Sequence, residues 1–329
     1  MPANLTPEYF KAEQWFREAT TTEEKILATE KMLQVIPKHK GTDHMRAELR
    51  RKLSKLKEES EHHAAAHGKQ IDIFHIPKTG AAQIALLGLP NSGKSSIVAA
   101  LTNAKVNVAD FPFATSVPVP GMIQFEDIKF QIVDTPPITA DYSAPGQVVI
   151  YRSCDIIGVV IDLSAEIIEQ IIVCFDFLKA HNLIANEQTP AEDTKSSLFA
   201  KRIIYFATKL DIAKPGAVEE IQQLSPVKFN IYPISTTTAE GLGEIPKIFF
   251  KESNLIRIYT KPPGKKPDYS TPFTLPAGST VLDLAKTIHK ELADKFKAAR
   301  IWGTDVYSGQ NAPRDHVLND KDVVELHFS

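Results

Sequence analysis

Eight consecutive residues, Gly88-Leu89-Pro90-Asn91-Ser92-Gly93-Lys94-Ser95, have the spacing G-x-x-x-x-G-K-S. That pattern cradles phosphate. Gly93 lets the backbone approach phosphate oxygens, and the amides of Asn91, Ser92, Gly93 and Lys94 would surround them at a helix N-terminus that Ser95 and Ser96 continue. Lys94 would bridge the β- and γ-phosphates and stabilise their charge, and the Ser95 hydroxyl would enter the oxygen shell of Mg²⁺. Three later segments add to this. Asp134, ending the run FQIVDTP, is placed to hold Mg²⁺ through water. Thr115, in ADFPFATSVP, supplies a second hydroxyl for the metal between the phosphate loop and Asp134. The tetrapeptide Thr208-Lys209-Leu210-Asp211 follows another apolar run, and Ser235-Thr236 follows the next. A carboxylate at Asp211 accepts hydrogen bonds from the N1–H and exocyclic amine of guanine, a pair of donors that adenine lacks. Lys209 would lie along the base plane.

These residues need a scaffold that delivers them to one edge. Short Val/Ile-rich runs at 84–88, 130–136, 156–164, 202–211 and 230–235 alternate with helical stretches. Continuous apolar runs of this kind imply an α/β domain with a doubly wound, mostly parallel sheet covered on both faces. Before it, Ile26, Leu27, Leu33 and Ile36, then Met45, Leu49, Leu53 and Leu56, fall at helical spacing and imply a helical hairpin. Thr21 with Glu24 fits a capping box and Asp43 an N-cap. After Ser253, short strands surround one helix near 281–296, implying a small α+β module of β-grasp type. The expected division is therefore 1–70 hairpin, 71–253 nucleotide domain and 254–329 α+β module.

Composition bounds the rest. The chain has 329 residues, 43% hydrophobic and 24% charged, enough for a substantial core. A net charge of -2 excludes a whole-chain field for nucleic acid or anionic lipid. Locally, residues 38–69 carry nine Lys/Arg against five Asp/Glu, a basic excess that suits RNA as well as a solvated helix face. The two cysteines, Cys154 and Cys174, sit in apolar runs and read as buried thiols of a reducing compartment. No apolar run is long enough to span a membrane and the N-terminus lacks a signal pattern, so the expected location is cytoplasmic.

GLPNSGKS, ADFPFAT, VDTP, TKLD and STT together resemble the Obg-type translation-factor GTPases. The segment LIRIYTKPPGKKPDYSTPFTLPAGSTVLDLAKTIHKEL is similar to the TGS domain of the developmentally regulated GTP-binding proteins, as is the hairpin sequence HKGTDHMRAELRRKLSKLKEE. The resemblance implies a cytoplasmic GTPase that binds GTP and GDP with Mg²⁺, turns over slowly, and contacts ribosome or RNA through hairpin and TGS domain. It also implies that Asn91 helps hold a K⁺ ion against the phosphates, and that Ile138 stands where Ras-like proteins carry a water-positioning Gln, so no side chain is an evident catalytic base.

The chain departs from the family at four places. Pro137 replaces the DxxG glycine and has no N–H to sense a γ-phosphate; a bond worth roughly 1.5–3 kcal/mol is thereby removed. Ala114 and Thr208 replace the usual Thr and Asn, and the stretch between Lys179 and Lys201 is too short for the family's inserted domain. Two other functions compete with a switching GTPase: a guanine-nucleotide-binding scaffold with little hydrolysis because of Pro137, and a P-loop ATPase or kinase, which TKLD opposes.

Overall fold

The computed structural model describes residues 6–19, 22–37, 40–66, 74–104, 117–184, 201–224, 229–288, 296–303 and 307–328. Thr21, Ala114, Thr115 and most of the stretch before Lys201 lie outside the described residues. The chain divides into two compact units, one of residues 1–76, 144–153 and 175–201, the other of 77–143, 154–174 and 202–329.

The first unit begins with a helix that the expected hairpin did not include, α1 (Pro7–Glu18), followed by α2 (Thr22–Val35) and α3 (Asp43–Ala66). Its start was written in the sequence: the Thr6 hydroxyl accepts from the Tyr9 amide and Pro7 occupies the first turn. Tyr9, Ala12, Met32, Ile36 and Leu49 form the core between the three helices. The Lys52 ammonium sits 3.6 Å over the Phe16 ring and Lys57 pairs with Glu30 at 2.9 Å.

The same unit holds α5 (Gln147–Ser153). Glu24 accepts a hydrogen bond of 2.9 Å from Arg152, with side chains 9% and 13% exposed. Glu24 therefore ties α2 to α5, whatever it adds to the α2 cap. The Arg152 charge and burial together lower the His181 pKa, burial being the larger cause. Truncating Arg152 to Met leaves a buried carboxylate without its cation. We expect a loss of about 3–5 kcal/mol in stability, read by denaturant unfolding, with Glu24→Gln in the same background restoring part of it.

The second unit contains both sheets. The first has strand order β2-β3-β1-β4-β5-β6, from β1 (Gln83–Leu87), β2 (Val119–Phe125), β3 (Ile128–Asp134), β4 (Ile156–Asp162), β5 (Arg202–Thr208) and β6 (Asn230–Pro233). Only β2 is antiparallel; β1, β3, β4, β5 and β6 pair in parallel. β1 and β4 are buried at every position, as continuous apolar runs require. Ile84, Leu86, Phe130, Ile132, Val160 and Phe206 centre the core, against Ile97 and Val98 of α4 (Lys94–Leu101) and Phe249 of α8 (Ile245–Ser253). The unit also holds α7 (Ala217–Leu224) and the first part of α6 (Ile167–Ala180), whose residues from Phe175 belong to the first unit.

The second sheet has order β10-β9-β11-β7-β8, from β7 (Leu255–Thr260), β8 (Asp268–Pro276), β9 (Phe296–Trp302), β10 (Gln310–Ala312) and β11 (Asp322–Phe328). Its first and last strands, β7 and β11, lie parallel in the middle. Val281, Leu284 and Ala285 of α9 (Val281–Ile288) pack on Ile258, Ile301 and Val324, giving the β-grasp arrangement. Cys154 and Cys174 are buried free thiols, and burial pushes Cys174 up to about 12. Among the described residues no helix is long and apolar enough to cross a membrane.

Candidate nucleotide site

Strand β1 ends at Leu87 and the chain turns through Gly88–Gly93 into α4. Gly88 is required by space: a Cβ there would lie 2.7 Å from Val160 O and 2.8 Å from Ser92 Oγ. Gly93 is required by conformation, at φ 99°. Asn91 has φ 59°, a left-handed position that Asn tolerates better than most side chains. The loop geometry thus already accounts for an asparagine there.

Lys94 is buried and its Nζ donates to Gly88 O at 3.0 Å and Leu89 O at 2.8 Å. Burial lowers its pKa to about 8 against the opposing pull of Asp134. Ser95 Oγ donates to Asp134 at 2.7 Å, and Asp134 is fully buried at the end of β3. A hydroxyl and a carboxylate at this separation, both hard oxygen donors, fit Mg²⁺, which takes few protein ligands and completes its shell from phosphate and water. Ser96 sits half-buried one position further along α4.

Beyond Asp134 the Thr135 hydroxyl donates to Leu86 O. Pro136 and Pro137 follow, and the next free amide, that of Ile138, donates to Gly88 O at 3.2 Å while its side chain is fully buried. The strand exit is therefore fastened to the phosphate loop itself, through the same carbonyl that holds Lys94.

The residues expected to face guanine converge from β5 and the turn after β6. Thr208 Oγ1 lies 2.6 Å from Ser92 O and 3.1 Å from Ile161 O, so its proton ties the end of β5 to the phosphate loop. That is what the unusual threonine at this position does. Lys209, at φ 57°, extends its ammonium to within 2.6 Å of Asp162. Asp211 is exposed, and one of its oxygens accepts from Ser235 Oγ at 2.6 Å. Ser235 is itself held by accepting from the Thr237 and Thr238 amides, with half-buried Thr236 between. The carboxylate is thereby oriented while one edge remains open to solvent.

Sequence reasoning missed Asp162 and Gln170. Asp162 accepts from Lys209 and from both the amide and hydroxyl of Ser164, and buried Gln170 exchanges two hydrogen bonds with its backbone. The available signal was an Asp ending the apolar run IIGVVID, as Asp134 ends FQIVD.

Residues 83–189 match the family described as 50S ribosome-binding GTPase, and residues 256–327 match the TGS domain. Ribosome-interacting GTPase 1 of Saccharomyces cerevisiae is 27% identical over 371 aligned residues, covering 93% of this chain and 99% of its own. Developmentally-regulated GTP-binding protein 1 of Xenopus laevis is 28% identical over 346, covering 88% and 94%. The crystal structure of a GTP-binding protein from Pyrococcus horikoshii OT3 shares the fold, with a TM-score of 0.51 at 14% identity over 75% of this chain and 100% of that one. Residues 83–189 thus form a GTPase domain of the 50S ribosome-binding family and residues 256–327 a TGS domain, in that order, and the chain is similar along nearly its whole length to the developmentally regulated GTP-binding proteins.

Proposed function

We propose that this GTPase binds and hydrolyses GTP with Mg²⁺ at the site formed by Lys94, Ser95, Asp134 and Asp211, and that it works in the cytoplasm in contact with the ribosome or its RNA. One observation carries the nucleotide reading: Asp211 is braced by Ser235 at 2.6 Å on the same sheet edge as a phosphate loop with a buried lysine. Magnesium supplies charge neutralisation at the β/γ oxygens. With nucleotide bound, Lys94 would exchange the Gly88 and Leu89 carbonyls for phosphate oxygens, and Ser95, with Asp134 acting through water, would hold the metal. The bond from water to the terminal phosphorus forms as the bond to the bridging oxygen breaks and that oxygen departs with GDP, stabilised by Lys94 and the loop amides; one proton of the water stays on the released phosphate and the other passes to solvent. With fully buried Ile138 in place of a polar water-orienting side chain, turnover is slow.

A K⁺ ion held beside Asn91 is part of this proposal, as are Gly88, Ser92, Gly93, Ser96, Thr208, Lys209 and Thr236 as nucleotide contacts and Thr115 as a metal ligand. The ribosome reading rests on the printed name of the yeast relative and on the basic excess of residues 38–69; the TGS segment from 255 to 329 is nearly neutral, with 11 Lys/Arg against nine Asp/Glu. Likeness to GTPases over 93% of the chain disfavours a non-hydrolysing scaffold.

The test measures GDP and non-hydrolysable GTP analogue affinity with Mg²⁺ in K⁺ and in Na⁺ buffer, with phosphate release on the same samples and co-sedimentation with purified ribosomes. Tight guanine binding, release that rises in K⁺, and sedimentation dependent on the GTP analogue are expected. Equal release in both salts removes K⁺ and Asn91 from the scheme, and absence of sedimentation removes the ribosome.

A further inference from the structure

At the end of the β2–β3 hairpin remote from Asp134, the nucleotide domain meets the TGS domain through one buried cation. Arg257 of β7 is 3% exposed in its side chain and reaches Glu126, Asp127 at 3.0 Å and Asp320 at 2.6 Å. Asp320 also accepts from the Arg257 amide at 2.7 Å. The guanidinium carbon lies 4.6 Å from the centre of the Phe250 ring, and Phe250 stacks on Phe125 of β2 at 5.2 Å. Tyr259 donates to Asp127, and Lys321 pairs with Glu126 at 3.1 Å. Three TGS side chains thus hold the two turn residues of one hairpin.

The turn itself is chosen for this contact and not for ease of turning. Phe125 pairs with Ile128, leaving Glu126-Asp127 as a two-residue loop in which Glu126 takes φ 47°. Gly or Asn relieves strain at such a position, and a glutamate does not. Its carboxylate is what the TGS domain uses.

The other end of the hairpin is the metal site. The pairing runs unbroken from Phe125–Ile128 to Val119–Asp134, seven pairs spanning about 20 Å. The hairpin is the edge of the larger sheet, since β3 also pairs with β1 at Gln83–Gln131, Ile84–Ile132 and Ala85–Val133, so a displacement of its turn reaches Asp134 along strands whose register the buried face fixes. Asp134 at its end holds Ser95 Oγ at 2.7 Å, a bond that an entering metal must replace.

We propose that Arg257 is a positioning residue for the nucleotide site: by gripping the Glu126-Asp127 turn it sets the placement of Asp134, so that Mg²⁺-nucleotide binding and the grip of the TGS domain on the hairpin are coupled. Coupling of this kind is reciprocal, so bound Mg²⁺-nucleotide also tightens or loosens the TGS contact. The inference rests on the reading of Ser95 as a metal ligand and of Asp134 as holding the metal through water.

The experiment uses the full chain and measures GDP affinity in Mg²⁺ and in EDTA for the parent, for Arg257→Met, and for Glu126→Gln with Asp127→Asn. Methionine keeps apolar contact with Phe250 and removes the charge; the second variant alters only the hairpin turn, where Glu126 is half exposed, and decides the matter if the first fails to fold. The affinity gained on adding Mg²⁺ should change about fivefold or more in either variant, while affinity in EDTA stays within about twofold. Hydrogen exchange of the β7 amides should respond to Mg²⁺-GDP in the parent and not in the variants. An unchanged Mg²⁺ gain, or equal losses in Mg²⁺ and EDTA, overturns the positioning role. A parent whose affinity ignores Mg²⁺ overturns the metal reading beneath it instead.

Discussion

Asp211→Asn lowers GTP affinity by about a hundredfold or more and raises the affinity for XTP, as read by nucleotide binding at fixed Mg²⁺. Guanine presents two donors, N1–H and the exocyclic amine, to a carboxylate that accepts both. The asparagine amide accepts one and turns its own N–H₂ toward the other, so a charge-assisted pair worth about 1.5–3 kcal/mol is lost and two donors face each other. Xanthine carries an oxygen where guanine has the amine, and accepts from that same N–H₂. The bond from Ser235 at 2.6 Å fixes which carboxylate oxygen is engaged. Ser235→Ala should therefore weaken GTP in the same direction, by less, and without favouring XTP.

Lys94→Met should lower kcat/KM for GTP by about 10²–10³, the usual effect of removing one preorganised charge from a developing oxyanion. The same substitution should change the stability of the nucleotide-free fold little, since the desolvation of a buried cation that two carbonyls hold is relieved while its attraction to Asp134 is lost. The pH dependence separates this residue from the rest of the site. Burial lowers Lys94 to about 8 in the nucleotide-free protein. Phosphate oxygens stabilise its charged form and raise that value on binding. Below pH 8 the lysine is already protonated and affinity is flat in pH on its account. Above pH 8 each binding event takes up a proton, so affinity falls up to about tenfold per unit until the raised value is reached. Calorimetry at pH 9 in buffers of different ionisation enthalpy should show proton uptake in the parent and none from this site in Lys94→Met.

Much of this was legible in the sequence because it depends on local rules. Buried parallel strands announce themselves as continuous Val/Ile runs, and three chemistry-bearing residues sit at the ends of such strands: Gly88 after β1, Asp134 ending β3 and Asp211 after β5; Ser235 follows the half-buried β6. Strand β2 gave no such signal. VPGMIQF alternates in burial and contains Pro120 and Gly121, the latter because a Cβ would come within 2.6 Å of the Thr102 hydroxyl. The expected loss of γ-phosphate sensing at Pro137 was correct about the missing donor. The destination of the next amide, Gly88 O, depended on how closely β3 and the loop after β1 run in space. Arg257 and its hairpin partners lie 130 and 131 positions apart, and Glu24 and Arg152 lie 128 apart. No period or motif connects residues at such distances; only the packed chain does.

The first unit threads together three separated stretches of chain, and this governs what a protease would accomplish. Cutting the backbone between α3 and β1 would sever a covalent link without dissolving the assembly. The amino-terminal fragment would stay bound to the remainder through the packing of this unit, the buried Glu24–Arg152 pair among its contacts, and the two pieces would elute together until denaturant separated them. An arm held in this way behaves as an intramolecular subunit, complemented in trans by its own sequence.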